Sequence, residues 1–260
     1  MIPDVQTIAQ NYRPDTDSLS GRVILITGAG AGIGAELAVT SAACGARVVL
    51  LGKTIAKLEA TYDRIMAVER ERPSIYPLDL LGATPQDYAE LGMVLEKEYG
   101  RLDGLVHNAG ILGDRSPIEH YDPVVWQKTL HVNLTAPFLL TQACIPLLKK
   151  SEDASVVFVS SGVGRKGRAY WGAYACSKFG IEGLAQILAD ETEENTSIRS
   201  NCVNPGATRT AMRKVAYPGE DPSSIKAPQE ILSPYLYLLG PDSKGVSGFS
   251  LDCQTKNPKR

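Results

Sequence analysis

"RVILITGAGAGIG", residues 22–34, is the stretch whose reading decides the fold. Its first part, residues 22–27, reads as a strand. Val, Ile and Leu follow one another without polar alternation, as in a parallel strand buried on both faces. The strand runs into Gly28, Gly32 and Gly34, spaced T-G-x-x-x-G-x-G. A glycine-rich turn between strand and helix lets backbone approach a pyrophosphate, whose charge the helix N-terminus stabilises. Glycines also simply make turns, so the weight of the pattern comes from its place. It follows the first strand and opens the first helix, with a wider gap between its first two glycines than G-x-G-x-x-G has.

Outward from it, short apolar runs alternate with longer amphipathic segments. "ARVVLLG" (46–52), "SIYPLDL" (74–80), "LDGLVHNAG" (102–110), "ASVVFVSS" (154–161), "SIRSNCVNPG" (197–206) and "SGFSLD" (247–252) read as six further strands. Helical patterns lie between them, over 32–44, 54–71, 85–99, 123–150 and 172–194. Strands alternating with helices give an α/β, three-layer, doubly wound architecture with a seven-stranded parallel sheet and right-handed crossovers. No Pro/Gly/Ser-rich linker or solenoid repeat divides the chain, so 1–260 reads as one domain. Residues 1–20 form an N-terminal extension outside the sheet. The polar segment 207–228 has no clear strand and the length of a functional loop over a substrate.

Composition excludes several classes. The chain has 260 residues, 43% of them hydrophobic, which suffices for a sizeable core. A net charge of −2 gives no basic face for nucleic acid. Five cysteines, Cys44, Cys144, Cys176, Cys202 and Cys253, have wide spacings and no C-x-x-C, so they read as free thiols in a reducing compartment. Neither a signal peptide nor a run of 18 apolar residues is visible, so a cytoplasmic protein without membrane association is expected. His107, His120 and His131 lack metal-ligand spacing, and no metal is expected.

"WGAYACSKFG", residues 171–180, places Tyr174 and Lys178 four apart. On a helix they share a face. Such a pair on a surface helix often does nothing. It can also do chemistry, because an ammonium favours the phenolate and so lowers the phenol pKa, which suits proton transfer near neutral pH.

Taken together, T-G-x-x-x-G-x-G, "HNAG" (107–110), "HVNLTAPF" (131–138), "VSSGVG" (159–164), "YACSK" (174–178) and "NPGATRT" (204–210) resemble the short-chain dehydrogenases/reductases over residues 20–250. "SSGVGRKGRAYWGAYACSKFG" and "YPGEDPSSIKAP" resemble, more narrowly, the bacterial YciK-like oxidoreductases. The resemblance implies a Rossmann-type fold and hydride transfer between a nicotinamide and a carbonyl or alcohol of a small molecule. It also implies a homodimer or homotetramer with closed symmetry.

The resemblance implies the following roles. Tyr174 is the proton donor or acceptor. Lys178 lowers its pKa and binds the nicotinamide ribose. Ser161, thirteen residues before Tyr174, orients the substrate oxygen; Ser160 is the alternative, and only one of the two should face the pocket, since side chains alternate along a strand. Asn133 holds a water that relays protons to the lysine. Gly28, Gly32, Ile33 and Gly34 bind the pyrophosphate. Asp79 and Leu80 lie near the adenine, Asn108, Ala109 and Gly110 beside its ribose, and Pro205, Gly206, Thr208 and Thr210 beside the carboxamide. His107 stands where the family often has Asn and reads as structural. Trp171 and Tyr170 belong to the pocket wall or a subunit contact.

Cofactor choice depends on the end of the second strand, where NAD-binding members place an Asp for the ribose 2′-hydroxyl. Here "VVLLGKT" offers Gly52 and Lys53. Without the carboxylate, repulsion toward a 2′-phosphate is gone and Lys53 can pair with it, which favours NADP(H). Against that, Lys53 reads equally as a solvated helix-start residue and Ala31 is neutral. Arg165, Lys166 and Arg168 could attract an anionic substrate, though a charged loop is ordinarily just solvated. Two other classes compete. An extended-type epimerase or dehydratase would need a longer C-terminal domain than the chain has after "NPG". A non-catalytic nucleotide-sensing or scaffolding protein would not need Asn133, Ser161, Tyr174 and Lys178 together.

Overall fold

The first strand, β1 (Val23–Thr27), is buried along its whole length because both its faces are covered. Ile24 and Ile26 enter one core cluster, and Val23 and Leu25 the other. β2 (Arg47–Gly52) divides in the same way, with Val48 and Leu50 on one face and Val49 and Leu51 on the other. This two-sided burial is why the strands read as continuous apolar runs. The computed structural model describes residues 4–68 and 70–255; residues 1–3 of the expected extension, Glu69 of the expected helix 54–71, and 256–260 lie outside them.

The remaining strands are β3 (Ser74–Pro77), β4 (Gly104–His107), β5 (Ala154–Val159), β6 (Ile198–Asn204) and β7 (Ser250–Asp252). They form one seven-stranded sheet, ordered β3-β2-β1-β4-β5-β6-β7. Every pairing is parallel. The order reverses between β1 and β4, and such a switch point opens a crevice at the carboxyl ends of the strands.

Around the sheet lie α1 (Val5–Asn11), α2 (Gly32–Ala43), α3 (Ile55–Met66), α4 (Pro85–Tyr99), α5 (Pro123–Leu130), α6 (Ala136–Leu148), α7 (Gly172–Thr192), α8 (Ala211–Ala216) and α9 (Ser233–Leu239). Several features depart from the sequence reading. Helix α3 ends at Met66, where its buried face of Leu58, Thr61 and Ile65 stops; Val68, the next apolar residue at that spacing, is exposed. The long helix 123–150 is divided by a π-helical turn, His131–Thr135. Helix α9, buried all round from Pro234 to Leu239, was not expected. The N-terminal segment contains α1, capped by Asp4 and docked through Gln6 and Gln10 onto the Asp252 carbonyl.

By length and composition, the stretch Pro123–Leu148 is apolar enough to cross a membrane. Its Leu140, Cys144, Leu147 and Leu148 are buried in the core under β4 and α4, which accounts for that character. All five cysteines are free, and only Cys176 is exposed.

Candidate active site

The glycine loop is built by close approach. Gly28 and Gly32 have φ of 66° and 56°, where side chains are strained. A Cβ on Gly34 would lie 2.4 Å from the Gly28 carbonyl oxygen, so no larger residue can stand there. Asn108 Nδ2 donates to the Thr27 carbonyl at 3.0 Å, and Thr27 Oγ1 accepts the backbone N–H groups of Asn108 and Ala109. The Asn108 side chain is thus a clamp that holds the glycine loop against β4. Thr27, which makes the other half of that clamp, carries no motif signal beyond its place before the first glycine.

The loop opens onto a cleft of about 340 Å³. Gly28, Gly32 and Ile33 form one side, and Ser161, Tyr174 and Lys178 the other. Asn108, Ala109 and Gly110 lie along the floor. Pro205, Gly206, Thr208 and Thr210 close the remaining side, with Thr210 capping α8. A larger hollow of about 550 Å³ lies at the opposite edge of the sheet, around Asp153, Asp190 and Glu193, and contains no predicted site residue.

Five predicted residues stand apart from the cleft wall: Gly34 and Asn133, both buried, and Lys53, Asp79 and Leu80. Lys53 and Asp79 are exposed at the ends of β2 and β3, which the Leu78 N–H to Gly52 carbonyl bond holds side by side. Asp79 Oδ1 accepts the Leu81 N–H at 3.1 Å. The Leu80 side chain is turned into the core beside Tyr88 and Leu91, away from the cleft.

Helix α7 carries Tyr174 and Lys178. Lys178 is buried, its Nζ donates to the Val159 carbonyl at 2.7 Å, and it sits 5.6 Å from the Tyr174 ring centre. Burial lowers the lysine to about 8. Tyr174 keeps part of its surface open to the cleft, yet protein packs densely around it. That burial pushes the phenol up to about 12, while the Ser161 side-chain hydrogen bond acts in the other direction. The sequence reading expected Lys178 to bring the phenol down. In the structure the phenol is raised instead: burial, which disfavours the phenolate, is the largest cause, and Ser161 is the group that acts against it. The sequence reading expected only one serine of the pair to face the pocket; both border the cleft, but Ser160 is 1% exposed and donates to Glu182.

Asn133 lies inside the π-helical turn and is 1% exposed. Its Oδ1 accepts the Ile111 N–H and its Nδ2 donates to the Ile111 carbonyl, both at 2.8 Å. Pro137, four residues on, has no N–H to give to the Asn133 carbonyl. The Asn133 carbonyl therefore has no i+4 partner. The site is compact here: a Cβ on Gly110 would lie 3.2 Å from Asn133 Oδ1 and 3.8 Å from Lys178 Nζ. His107, behind them, is buried against Phe158 and bonded to Thr141, in keeping with a structural residue.

At the outer rim, Trp171 lines the cleft, 5.7 Å from the Tyr174 ring. The Arg115 guanidinium stacks between Trp171 and Tyr217, at 4.8 and 5.1 Å, and donates to the Ala216 carbonyl. Arg213 lies 3.8 Å from the Tyr217 ring and is paired bidentately with Glu220. The sequence reading puts Trp171 at the pocket wall or a subunit contact, and it is at the wall; Arg115, Arg213 and Tyr217 did not stand out, the last two because 207–228 has no periodic pattern. Tyr170 is exposed, with φ 71°. Arg165 is committed to Glu182, Asp252 and Ser250, which takes it out of any substrate role. Among the described residues no group of three or more His, Cys, Asp or Glu is placed to hold a metal ion.

Comparison with known proteins agrees with this geometry. The family model described as short chain dehydrogenase matches residues 22–221. The uncharacterized oxidoreductase YciK of Escherichia coli K12 is 48% identical over 94% of this chain and 96% of its own length. The solved structure of a short chain dehydrogenase from Pseudomonas syringae is 53% identical, with a TM-score of 0.93 over 94% of this chain and 99% of that one. One from Shigella flexneri 2a, solved in complex with NADP, is 48% identical, with a TM-score of 0.90 over 93% of this chain and 100% of its own. With a matching family model, a relative alike over nearly its whole length and the parallel sheet in common, the chain belongs to the short-chain dehydrogenase/reductase family and is an NAD(P)-dependent oxidoreductase.

Proposed function

We propose that the chain interconverts a carbonyl and an alcohol of a small-molecule substrate with NADP(H), using Tyr174 as the proton donor in reduction. The observation that carries this is the convergence of Tyr174, Ser161 and Lys178 on one wall of the cleft whose other wall is the glycine loop. A dinucleotide suits that cleft, because two left-handed glycines and the start of α2 leave room and N–H groups for a pyrophosphate. NADP(H) is favoured by Lys53 and the lack of a carboxylate at Gly52, and by the NADP found in the Shigella flexneri relative. When bound, the cofactor supplies or accepts the hydride.

The chain's own residues do the rest. The Tyr174 phenol gives its proton to the substrate oxygen. Ser161, which faces the phenol, donates to that same oxygen as charge develops on it. The Lys178 ammonium favours the phenolate that Tyr174 leaves behind. The Asn133 carbonyl, which Pro137 leaves without an i+4 partner, receives a water that returns protons through Lys178. Trp171, Met212 and Ala216 present an apolar wall to the substrate body.

The test is NADPH oxidation across a panel of aldehydes and ketones, with Tyr174→Phe as control. Turnover should fall by about 10²–10⁴-fold while NADPH binding and melting temperature hold. A Tyr174→Phe enzyme that keeps most of its activity would end this reading.

A further inference from the structure

Helix α7 places Tyr174, Lys178 and Glu182 at i, i+4 and i+8, on one face. All three grip the same end of β5. Ser161 faces the Tyr174 phenol in the cleft, Lys178 Nζ donates to the Val159 carbonyl, and Ser160 Oγ donates to Glu182 Oε1. Glu182 is 8% exposed and does not line the cleft, so it touches neither cofactor nor substrate. A carboxylate at that depth needs partners. It has Ser160 and the Arg165 guanidinium at 3.3 Å, and Arg165 is itself tied to Asp252 at 2.7 Å.

We propose that Glu182 is a positioning residue, which fixes the Ser160–Ser161 end of β5 against α7 and supplies the negative charge that keeps Lys178 an ammonium. The proposal rests on the role given to Lys178 above. The groups around Lys178 are Tyr174 and Glu182 on its own helix, Cys202 on β6, His107 on β4 and Asn133 on the π-helical turn, with Arg165 beyond Glu182. Burial pushes the Cys202 thiol far up, so it stays neutral. His107 is held neutral by burial as well. Tyr174 is protonated at neutral pH and Asn133 has no charge. Within this set the anion is Glu182. Its carboxylate opposes the desolvation that lowers Lys178.

The experiment is the pH dependence of NADPH affinity, read by fluorescence titration with no substrate present, since Lys178 is to bind the cofactor as an ammonium. Glu182→Gln keeps an acceptor for Ser160 and removes only the charge. The alkaline midpoint at which binding weakens should move down by about one pH unit. Arg165→Gln removes the opposing cation and should move it up. A purely structural role would move both variants the same way, or neither, and either result overturns the proposal. Should Glu182→Gln fail to fold, Arg165→Gln decides alone: its midpoint must rise. Lys178→Met separates the two readings. If the midpoint survives in Lys178→Met, the role of Lys178 is wrong; if it vanishes there but stays put in Glu182→Gln, only the inference about Glu182 fails.

Discussion

At the scale of the residue, Lys53 has the simplest consequence. It is exposed beside Gly52, and no ion pair within the described residues engages it. Lys57 stands one turn further on, with its Cβ 2.9 Å from where a Cβ on Gly30 would lie. Lys53 and Lys57 therefore both stand on the segment that follows β2, where a 2′-phosphate is expected. Lys53→Asp exchanges one of them for the carboxylate that receives a 2′-hydroxyl. A charge-assisted bond is worth about 1.5–3 kcal/mol, so NADPH affinity should fall by about tenfold or more and NADH affinity should rise. Fluorescence titration with both cofactors checks it; an unchanged ratio would assign Lys53 to solvent. Tyr174 and Lys178 were legible because one helix and one motif carry them. The partners of Asn133 were not, since it bonds a main chain 22 positions away. Arg165 was equally opaque: its partner Asp252 is 87 positions off, so sequence left it a free cation.

At the scale of the element, periodicity decided what could be read. The strands showed because both faces are buried, and α4 showed through its helical pattern, whose buried face is Tyr88, Leu91 and Leu95. Helix α9 did not, because "SPYLYLL" is buried all round and has no polar face to mark a 3.6-residue period. Helix α8 did not, because its six residues are held by side chains from elsewhere. Arg115 is the main tie, through two aromatic rings and the Ala216 carbonyl. Stacking of this kind contributes about 0.5–2 kcal/mol. Arg115→Ala should therefore raise the local opening of 207–228 by about tenfold, with little change in global melting, because such a segment opens independently of the core. Trypsin cleavage in that segment under native conditions reads the opening. A cleavage rate equal to wild type would show that Arg213 and Glu220 hold α8 by themselves.

At the scale of the whole molecule, the sheet brings together residues that act on one another from different strands, and His107 shows it best. It ends β4, stacks on Phe158 of β5 at 4.7 Å and bonds Thr141 of α6 at 2.8 Å. Burial first, and then the Lys178 charge, lower it to about 3. An unfolded chain would take up this proton near the ordinary value of about 6.5. Between roughly 6.5 and 3 the unfolded state binds the proton and the folded state does not, so stability is lost as pH falls through that window.

The homodimer or homotetramer expected for the chain belongs to the same scale. Phe138 on α6 and Phe179 and Ile187 on α7 leave apolar surface exposed. Light scattering at micromolar concentration should give a multiple of the 28.0 kDa chain mass, and a monomer mass would be the contrary result. Because subunit contacts also add to stability, the His107 experiment is made at one fixed protein concentration. His107→Asn keeps a polar partner for Thr141 but gives up the stack on Phe158. It should be less stable than wild type at pH 7, by about 1–2 kcal/mol. On acidification wild type should lose up to about 1.4 kcal/mol per pH unit that the variant does not, because Asn has no proton to take up. The carboxylates titrate alike in both proteins and cancel in the difference. Denaturant melts at pH 7, 6, 5 and 4 should therefore show the gap between the two closing and then reversing. A gap that stays constant would mean that His107 takes up its proton as readily in the folded chain as in the unfolded one, and that the contact between β4, β5 and α6 is open to water.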